Sequence, residues 1–402
     1  MAGISSARAG ASAIIVESNT VAGRKLLRTG RGRCNLTHTG SIDEFVRAYG
    51  DAGRFLKHSL YEFSPDGTRD FFTDNGLATE AKKDGCVFPV TNRAADVKRI
   101  LVDIARRLNV QFMYGRKVTA IHKQPNSFLV ETAAENIDCA AVIIATGGVS
   151  WPFTGSTGDG YKFAAELGHK IITPKPALVP LVTKEQWPGS LQGVGIAKVR
   201  LSAVVDKKQV SSAGPLMFTG NGIGGPAAQD FSREIADTLT KPGQSIEVHL
   251  DLMPDMDTPE LTNFIIDECS KHPRKELAGV LAGFLPRAFS IFICNRLKPA
   301  GQILVSQFSK SARAEFVKIM KALPLTIVTT QPIEEATITR GGVPTDQIDS
   351  KTMRSKLHAG LFFAGEVIDV DGPCGGYNLQ IAWSTGTLAG RSAADHIKQN
   401  KD

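Results

Sequence analysis

The stretch LFFAGEVIDVDGPCGGYNLQIAWSTGTLAG, residues 361–390, carries the most specific pattern in this chain of 402 residues. Its apolar start predicts a buried strand that ends in Ala364-Gly365-Glu366. After a short loop, Gly375-Gly376-Tyr377-Asn378 opens a predicted helix. The free N–H groups of such a helix start point at one spot, so the sequence predicts a site there that favours negative charge.

The N-terminal residues contain the second half of a βαβ nucleotide-binding unit. Residues 14–16 form a short apolar run that ends in Glu17, with a small-residue helical piece before it. In such units a glycine turn holds a pyrophosphate, and an acid about 20 residues further on binds ribose hydroxyls. Glu17 fits that acid and Gly3 fits the last glycine, but the first strand and the paired glycines are missing. We expect both to be encoded in frame just upstream of Met1.

The middle of the chain predicts further strands and a glycine turn. Residues 110–130 are typical of a β-meander, and 140–145 predict a buried strand. Thr146-Gly147-Gly148 follows at its carboxyl end, where open α/β sheets bind ligands.

The predicted helix start at 375–378 would suit a flavin. A flavin would place its pyrimidine edge there, because the reduced ring carries negative charge near N1 and the C2 carbonyl.

The composition changes at the proline-rich residues 173–181. From there to about 345 the chain mixes strands with amphipathic helices. We therefore predict one domain in two parts, 1–174 and 346–402, and an inserted substrate domain at 175–345. Within the insertion, GNGIGG (220–225) matches a nucleotide-binding pattern, but its context favours a turn at the domain's entry.

Composition excludes several classes of protein. The net charge of +7 arises from 47 basic and 40 acidic residues that are interspersed, as on an ordinary solvated surface. The six cysteines form no CxxC, which favours reduced thiols in the cytoplasm over a disulfide or zinc scaffold. No histidines have metal-ligand spacing, and no apolar run reaches the roughly 20 residues of a membrane span. We expect no metal and no membrane partner.

The segment RKLLRTGRGRCNLTH, residues 24–38, is the cysteine loop. It suggests a nucleic-acid patch, a phosphate-binding loop or a redox cysteine. A dithiol relay needs a second thiol nearby, and the next one is Cys86; a lone reactive Cys34 would need Arg31 and Arg33 to lower its pKa. A small buried residue is the favoured interpretation of Cys34. No aromatic-rich stretch accompanies the basic residues, so we expect no nucleic-acid partner.

Four stretches together resemble one protein family. They are residues 23–37, ATGGVSWPFTGSTGDGY (145–161), ITRGGV (338–343) with TMRSKL (352–357), and residues 360–386. They are similar to bacterial NAD(P)/FAD-dependent oxidoreductases, a family that includes an aminoacetone oxidase and a bile-acid-pathway enone reductase. The resemblance covers nearly the whole chain. It implies an α/β fold with a glutathione-reductase-like FAD-binding domain, here without its first strand, split by an inserted domain of β-barrel and helices.

The resemblance also implies FAD as cofactor, with NAD(P)H as an electron donor. Glu17 would hold the adenosine ribose, Arg24 and Lys25 the phosphates or ribose, and the backbone of Val118 the adenine. Together with Gly3, the candidate cofactor-binding residues are Glu17, Arg24, Lys25, Arg33, Asn35, Val118, Gly147, Gly148, Gly365, Asp369, Asn378 and Leu379. Where the family usually has three glycines in the cysteine loop, this chain has Gly30-Arg31-Gly32.

The expected reaction is NAD(P)H-driven reduction of an activated C=C bond in a small organic substrate held between the two domains. Oxygen-dependent oxidation of a small amine is the alternative, and a nucleic-acid-associated or non-catalytic flavoprotein is the rival from another class. No catalytic residue is identified. His38 and Tyr377 are weak candidates for a proton donor, and Cys34 is a weak candidate for a reactive thiol.

Overall fold

The computed structural model describes residues 1–239, 243–297 and 303–400. The α-helices of these residues are α1 (Ala2–Arg8), α2 (Ile42–Ala48), α3 (Gly53–Glu62), α4 (Pro65–Asp74), α5 (Ala94–Arg107), α6 (Asp159–Glu166), α7 (Trp187–Ser190), α8 (Pro226–Leu239), α9 (Thr258–Ser270), α10 (Leu277–Leu281), α11 (Arg287–Leu297), α12 (Lys310–Lys321) and α13 (Tyr377–Gln399).

The strands are β1 (Ile14–Glu17), β2 (Thr37–His38), β3 (Thr79–Ala81), β4 (Cys86–Pro89), β5 (Gln111–Tyr114), β6 (Val118–Lys123), β7 (Phe128–Thr132), β8 (Asn136–Cys139), β9 (Val142–Ile144), β10 (Ile172–Ala177), β11 (Leu181–Thr183), β12 (Gly195–Val205), β13 (Lys208–Thr219), β14 (Gly222–Gly224), β15 (Ile246–Asp251), β16 (Leu323–Thr330), β17 (Ile338–Gly342) and β18 (Leu361–Phe363). Across the described ranges, no helix is long and apolar enough to cross a membrane.

The chain divides into two compact units. The first consists of Met1–Pro176 with Ile333–Asp402, and the second is Ala177–Pro332. The second boundary differs from the predicted one at 345. Residues 333–345 lie with the first unit because β17 pairs with β10 there, and local composition does not reveal this long-range pairing.

The parallel strands of the first unit form two separate pairs. β1 pairs with β5, with Ile14 opposite Gln111, and β9 pairs with β18, with Val142 opposite Leu361. Within residues 1–13, which the structure describes, the chain forms the helix α1 and no strand. With β5 on one side only, the side chain of Ile14 stays 43% exposed.

Helix α13 joins the parts of the first unit. Its Gly390 lies against α1, where an added Cβ would come 2.8 Å from the Cβ of Ser5. The hydroxyl of Ser6 donates to the carbonyl of Gly390 at 2.9 Å in the buried contact. A Cβ on Gly3 of the same helix would meet Ile15 of β1 at 3.2 Å. Gly3 thus lies where α1 and β1 pack closely. The last glycine of a nucleotide-binding turn allows this kind of close packing between helix and strand.

Two smaller sheets complete the first unit. The predicted meander forms as β6-β7-β8, and β2-β4-β3 form a second antiparallel sheet beside the cysteine loop. Val118 is the first residue of the edge strand β6, and its ladder is interrupted by an irregularity before Ala120.

The second unit is built on a closed barrel with the strand order β11-β14-β13-β12-β15-β16. Its core contains the fully buried rings of Phe218, Phe231, Phe289 and Phe316. Burial of each such side chain contributes about 1.5–3 kcal/mol. GNGIGG spans the turn between β13 and β14 and strand β14 itself. These strands are antiparallel, unlike those of a nucleotide-binding βαβ unit.

Candidate functional site

The start of α13 is built by two glycines and an asparagine. Gly375 and Gly376 have φ of +115° and +99°, conformations that side chains rarely adopt. Gly376 lies against the backbone of β2, where an added Cβ would come 2.5 Å from the carbonyl carbon of Thr37. Asn378 Oδ1 accepts from the N–H of Gly372 at 2.8 Å, and its Nδ2 donates to the carbonyl of Gly372 at 2.8 Å. The loop before α13 is therefore fixed to the helix start.

A polar network links four separate segments beside β18. Lys25 Nζ lies 2.5 Å from Glu366 Oε2 and donates to the hydroxyl of Ser150 at 2.9 Å. That hydroxyl donates to Glu366 Oε1 at 3.3 Å, and the N–H of Thr339 donates to the same oxygen at 2.6 Å. Glu366 was not among the predicted cofactor-binding residues. A signal was present, because Glu366 lies three residues after the end of the apolar strand β18, and Glu17 is likewise an acid at the end of an apolar strand.

Gly148 makes room for this network. A Cβ at Gly148 would lie 2.6 Å from the Cβ of Thr339 and 3.0 Å from Glu366 Oε1. The hydroxyl of Thr339 in turn accepts from the N–H groups of Val149 at 2.9 Å and Ser150 at 3.1 Å. The close approach at Gly148 therefore serves the protein's own network. Gly147 has φ of +76°, which the turn after β9 requires.

The other candidates near α13 also make contacts within the protein. The N–H of Gly365 donates to the hydroxyl of Thr385 at 2.9 Å, and Asp369 Oδ1 accepts from the N–H of Gly341 at 2.9 Å. Leu379 is half-buried against the apolar cluster that contains Trp383. These residues hold the turn after β18 in place.

Glu17 is the last residue of β1, and one of its two carboxylate oxygens accepts hydrogen bonds within the protein. Its Oε1 accepts from the N–H of Asn19 at 2.9 Å and from Asn19 Nδ2 at 2.8 Å. Asn19 Oδ1 accepts from the exposed Arg24 at 2.7 Å. Within the parts of the chain that the structure describes, nothing donates to Glu17 Oε2, so this oxygen fits a ribose hydroxyl.

The cysteine loop buries its thiol. Cys34 is fully buried, and burial raises the pKa of its thiol to about 12. A buried thiol with a raised pKa favours the interpretation of Cys34 as a small buried residue, and a reactive thiol stays the weak candidate. Arg33 lies over the ring of Phe88 at 4.8 Å and donates to the carbonyl of Gly30 at 3.3 Å. In the same loop, the Oδ1 atom of Asn35 is buried and has no hydrogen-bond partner among the described residues.

Arg31 occupies a left-handed conformation between two left-handed glycines. Its φ is +58°, whereas that of Arg33 is −93°. A non-glycine residue in this region costs about 1–2 kcal/mol, and a glycine's extra freedom in the unfolded chain offsets part of that. We expect Arg31→Gly to raise the free energy of unfolding by up to about 1 kcal/mol in urea denaturation. Arg33→Gly, as the control, should lower it; a loss of stability in both variants contradicts the assignment of strain to Arg31.

His38 stacks on Tyr377 at the start of α13, with ring centroids 5.0 Å apart. Its Nδ1 lies 2.6 Å from the carbonyl of Thr39 and its Nε2 lies 2.8 Å from the carbonyl of Asp84. Both ring nitrogens of His38 therefore have backbone carbonyls as partners within the protein. His38 stays a weak candidate for a proton donor.

An aromatic pair lies beside the basic loop. The guanidinium carbon of Arg28 is 5.2 Å from the ring centroids of both Trp151 and Phe153, and Phe153 is 54% exposed. The sequence has no aromatic-rich stretch beside the basic residues, and local composition does not reveal this pair, because the rings come from the turn after β9.

The contacts of the first unit fit a bound dinucleotide such as FAD. Glu17 offers a free carboxylate oxygen at the end of β1, and the N–H groups at the start of α13 favour negative charge. Asn35 Oδ1 is a buried acceptor without a donor, the kind of group that a ligand N–H satisfies. Within the described ranges, no cluster of His, Cys, Asp or Glu could hold a metal ion.

Comparisons with known proteins agree with this arrangement. Residues 1–392 match the family described as HI0933-like protein Rossmann domain. A 3-dehydro-bile acid delta(4,6)-reductase of Clostridium scindens is 31% identical over 98% of this chain and 96% of that protein. A ribosomal RNA dihydrouridine synthase of Escherichia coli is 29% identical over 94% of this chain and 91% of that protein.

Solved structures show the same fold at low identity. Quinol fumarate reductase of Escherichia coli aligns with a TM-score of 0.51 and 14% identity, over 100% of this chain and 69% of that chain. The 3-ketosteroid delta1-dehydrogenase of Sterolibacterium denitrificans aligns with a TM-score of 0.50 and 12% identity, over 99% and 98%. The predicted Rossmann-like FAD-binding fold with an inserted barrel is confirmed. The chain belongs to the HI0933-like Rossmann family, and its predicted class, FAD-dependent oxidoreductase, is confirmed with it.

Proposed function

We propose that this chain binds FAD in its first unit and, with NAD(P)H as electron donor, reduces a C=C bond conjugated to a carbonyl group. The network of Lys25, Ser150 and Thr339 around Glu366 carries the proposal, because it joins residues from all four stretches that resemble flavoenzymes. The relative named as a delta(4,6)-reductase supports the choice of a conjugated C=C bond.

FAD, when bound, supplies the hydride chemistry. Glu17 would hold the adenosine ribose, and Glu366, oriented by Lys25, would accept from hydroxyls of the ribityl chain. Asn35 Oδ1 would accept from an N–H of the ring, and the N–H groups at the start of α13 would stabilise negative charge on it. The remaining candidates, Gly3, Arg24, Arg33, Val118, Gly147, Gly148, Gly365, Asp369, Asn378 and Leu379, would shape or line the same site.

The reduction adds a hydride to the carbon β to the carbonyl and a proton to the α carbon. Tyr377 stays a hypothesis for the proton donor, because it is the first residue of α13, where the flavin ring is proposed to lie. Its ring packs against His38 and Phe45, with centroid distances of 5.0 and 4.8 Å.

A second substrate class has the same chemistry. The C5=C6 bond of uracil is conjugated to the C4 carbonyl, so its reduction in RNA is the same kind of reaction as the reduction of a small enone. The relatives of Escherichia coli and Haemophilus influenzae named ribosomal RNA dihydrouridine synthase favour it, as do the exposed arginines of the cysteine loop. The absence of a nucleic-acid partner and the cytoplasmic location stay predictions.

An anaerobic reoxidation experiment tests the proposed direction. FAD-loaded protein is reduced with NADPH and then mixed with a steroid 4-en-3-one, and the oxidised flavin band at about 450 nm is followed. We expect the band to return in the absence of oxygen, in proportion to the enone added. A short uridine-containing RNA serves as the second acceptor. If the band returns when oxygen is admitted but with neither the enone nor the RNA, the result supports the amine-oxidase alternative and contradicts the proposal.

A further inference from the structure

The cysteine loop presents positive charge without counter-charges. Between Glu17 and Asp43 the chain has no acidic residue. Lys25 is paired with Glu366, but among the described residues no carboxylate lies within salt-bridge distance of the loop's exposed arginines, which are Arg24, Arg28, Arg31 and Arg33. Such a segment attracts a polyanion. The single pyrophosphate of a dinucleotide provides fewer anionic groups than this set of arginines offers.

Two aromatic rings are held beside that charge. Trp151 and Phe153 have ring centroids 5.5 Å apart at an angle of 67°, and Arg28 lies 5.2 Å from each. Trp151 has φ of +55°, a conformation uncommon for a bulky residue, so the turn itself directs this ring. Phe153 is 54% exposed. An exposed ring next to a guanidinium group is the combination on which bases of single-stranded nucleic acids stack.

We infer that Arg28, Trp151 and Phe153, together with Arg31, form a binding surface for single-stranded RNA. A base stacks on the ring of Phe153, and the two arginines contact the neighbouring phosphates, whereas Arg24 and Arg33 are left to the cofactor site. This inference rests on the proposed function in its RNA form, because the surface would deliver a uracil-containing strand to the enzyme. We call these four residues the arginine–aromatic surface.

Binding of oligouridylate to the FAD-loaded protein tests the inference. A fluorescein-labelled oligouridylate of about 12 nucleotides is titrated by fluorescence anisotropy at several salt concentrations. Each phosphate contact contributes about −0.7 to the slope of log affinity against log salt, so Arg28 and Arg31 predict a slope of about −1.4. We expect Phe153→Ala to weaken binding about tenfold without changing that slope. Arg28→Gln should weaken binding and reduce the slope by about 0.7.

Helix α3 offers a matched control pair. Tyr61 is 62% exposed and Lys57 Nζ lies 6.0 Å from its ring centroid, so the helix presents a similar aromatic and cation. Tyr61→Ala and Lys57→Gln should leave oligouridylate affinity unchanged. Flavin absorbance of each variant reports whether FAD is retained. Phe153 is exposed, so its replacement should leave both the fold and the FAD content intact.

Two results would overturn the inference. One is oligouridylate binding that is absent at low salt or equal in wild type and Phe153→Ala. The other is a parallel loss of FAD and RNA in Phe153→Ala, which would assign the ring to the cofactor site. Because binding is measured without turnover, a protein that reduces an enone but does not bind oligouridylate keeps the proposed function and loses this surface. A protein that binds through Phe153 but reduces no C=C bond keeps the surface and loses the proposed function.

Discussion

Gly376→Ala is expected to lower the free energy of unfolding by about 3 kcal/mol or more. The new Cβ would overlap the carbonyl oxygen of Thr37 and lie 2.5 Å from its carbonyl carbon. Both atoms belong to backbone, so no side-chain rotation relieves the contact, and φ of +99° adds strain. Urea denaturation measures the loss. FAD uptake should fall as well, because the start of α13 would have to move away from β2.

Gly375→Ala is the matched control for this variant. Gly375 also has a positive φ, +115°, but an added Cβ would meet side chains, the nearest being His38 Cδ2 at 3.3 Å. Its cost should therefore be about 1–2 kcal/mol, mainly from the backbone conformation. Equal losses in the two variants would contradict the claim that contact between α13 and β2 decides the geometry of this loop.

Glu366→Gln should lower the free energy of unfolding by about 2 kcal/mol, the range for hydrogen bonds to a charged group. The glutamine keeps the shape of the side chain but loses the charge that Lys25 Nζ and the N–H of Thr339 approach at 2.5 and 2.6 Å. The side chains of Lys25 and Glu366 are 25% and 20% exposed, so water compensates only in part. Urea denaturation of the variant measures the effect.

A double-mutant cycle shows whether the pair acts as a unit. Lys25→Met combined with Glu366→Gln should cost about 1 kcal/mol less than the two single changes added together. The exposed pair of Lys162 and Glu166 on α6, at 3.7 Å, provides the control. Its coupling should not exceed about 0.5 kcal/mol. Equal coupling in both pairs would show that the Lys25 pair contributes no more than a surface contact.

Local patterns predicted the elements of the fold well. The apolar runs at 14–16, at 140–145 and from 361 became β1, β9 and β18. Two details were wrong: β18 ends at Phe363, before the predicted Ala364-Gly365-Glu366, and β1 is only partly buried. The glycine pair before α13 was readable from the sequence, since few other residues tolerate such backbone angles.

Contacts between distant segments could not be predicted in the same way. Lys25 and Glu366 are 341 residues apart, and no local period encodes their pairing. Arg28 meets Trp151 and Phe153 only after the turn behind β9 is placed beside the cysteine loop. Burial of Cys34 is hidden for a related reason: the nearby arginines are visible in the sequence, but the burial that raises the pKa of the thiol is not.

Titration of the purified protein with FAD tests the central claim most directly. The account predicts saturable uptake, with the flavin bands at about 370 and 450 nm shifting on binding and remaining with the protein after gel filtration. Wild-type protein should retain the flavin, and Glu366→Gln should retain less of it. A colourless protein that takes up no added FAD would contradict the account.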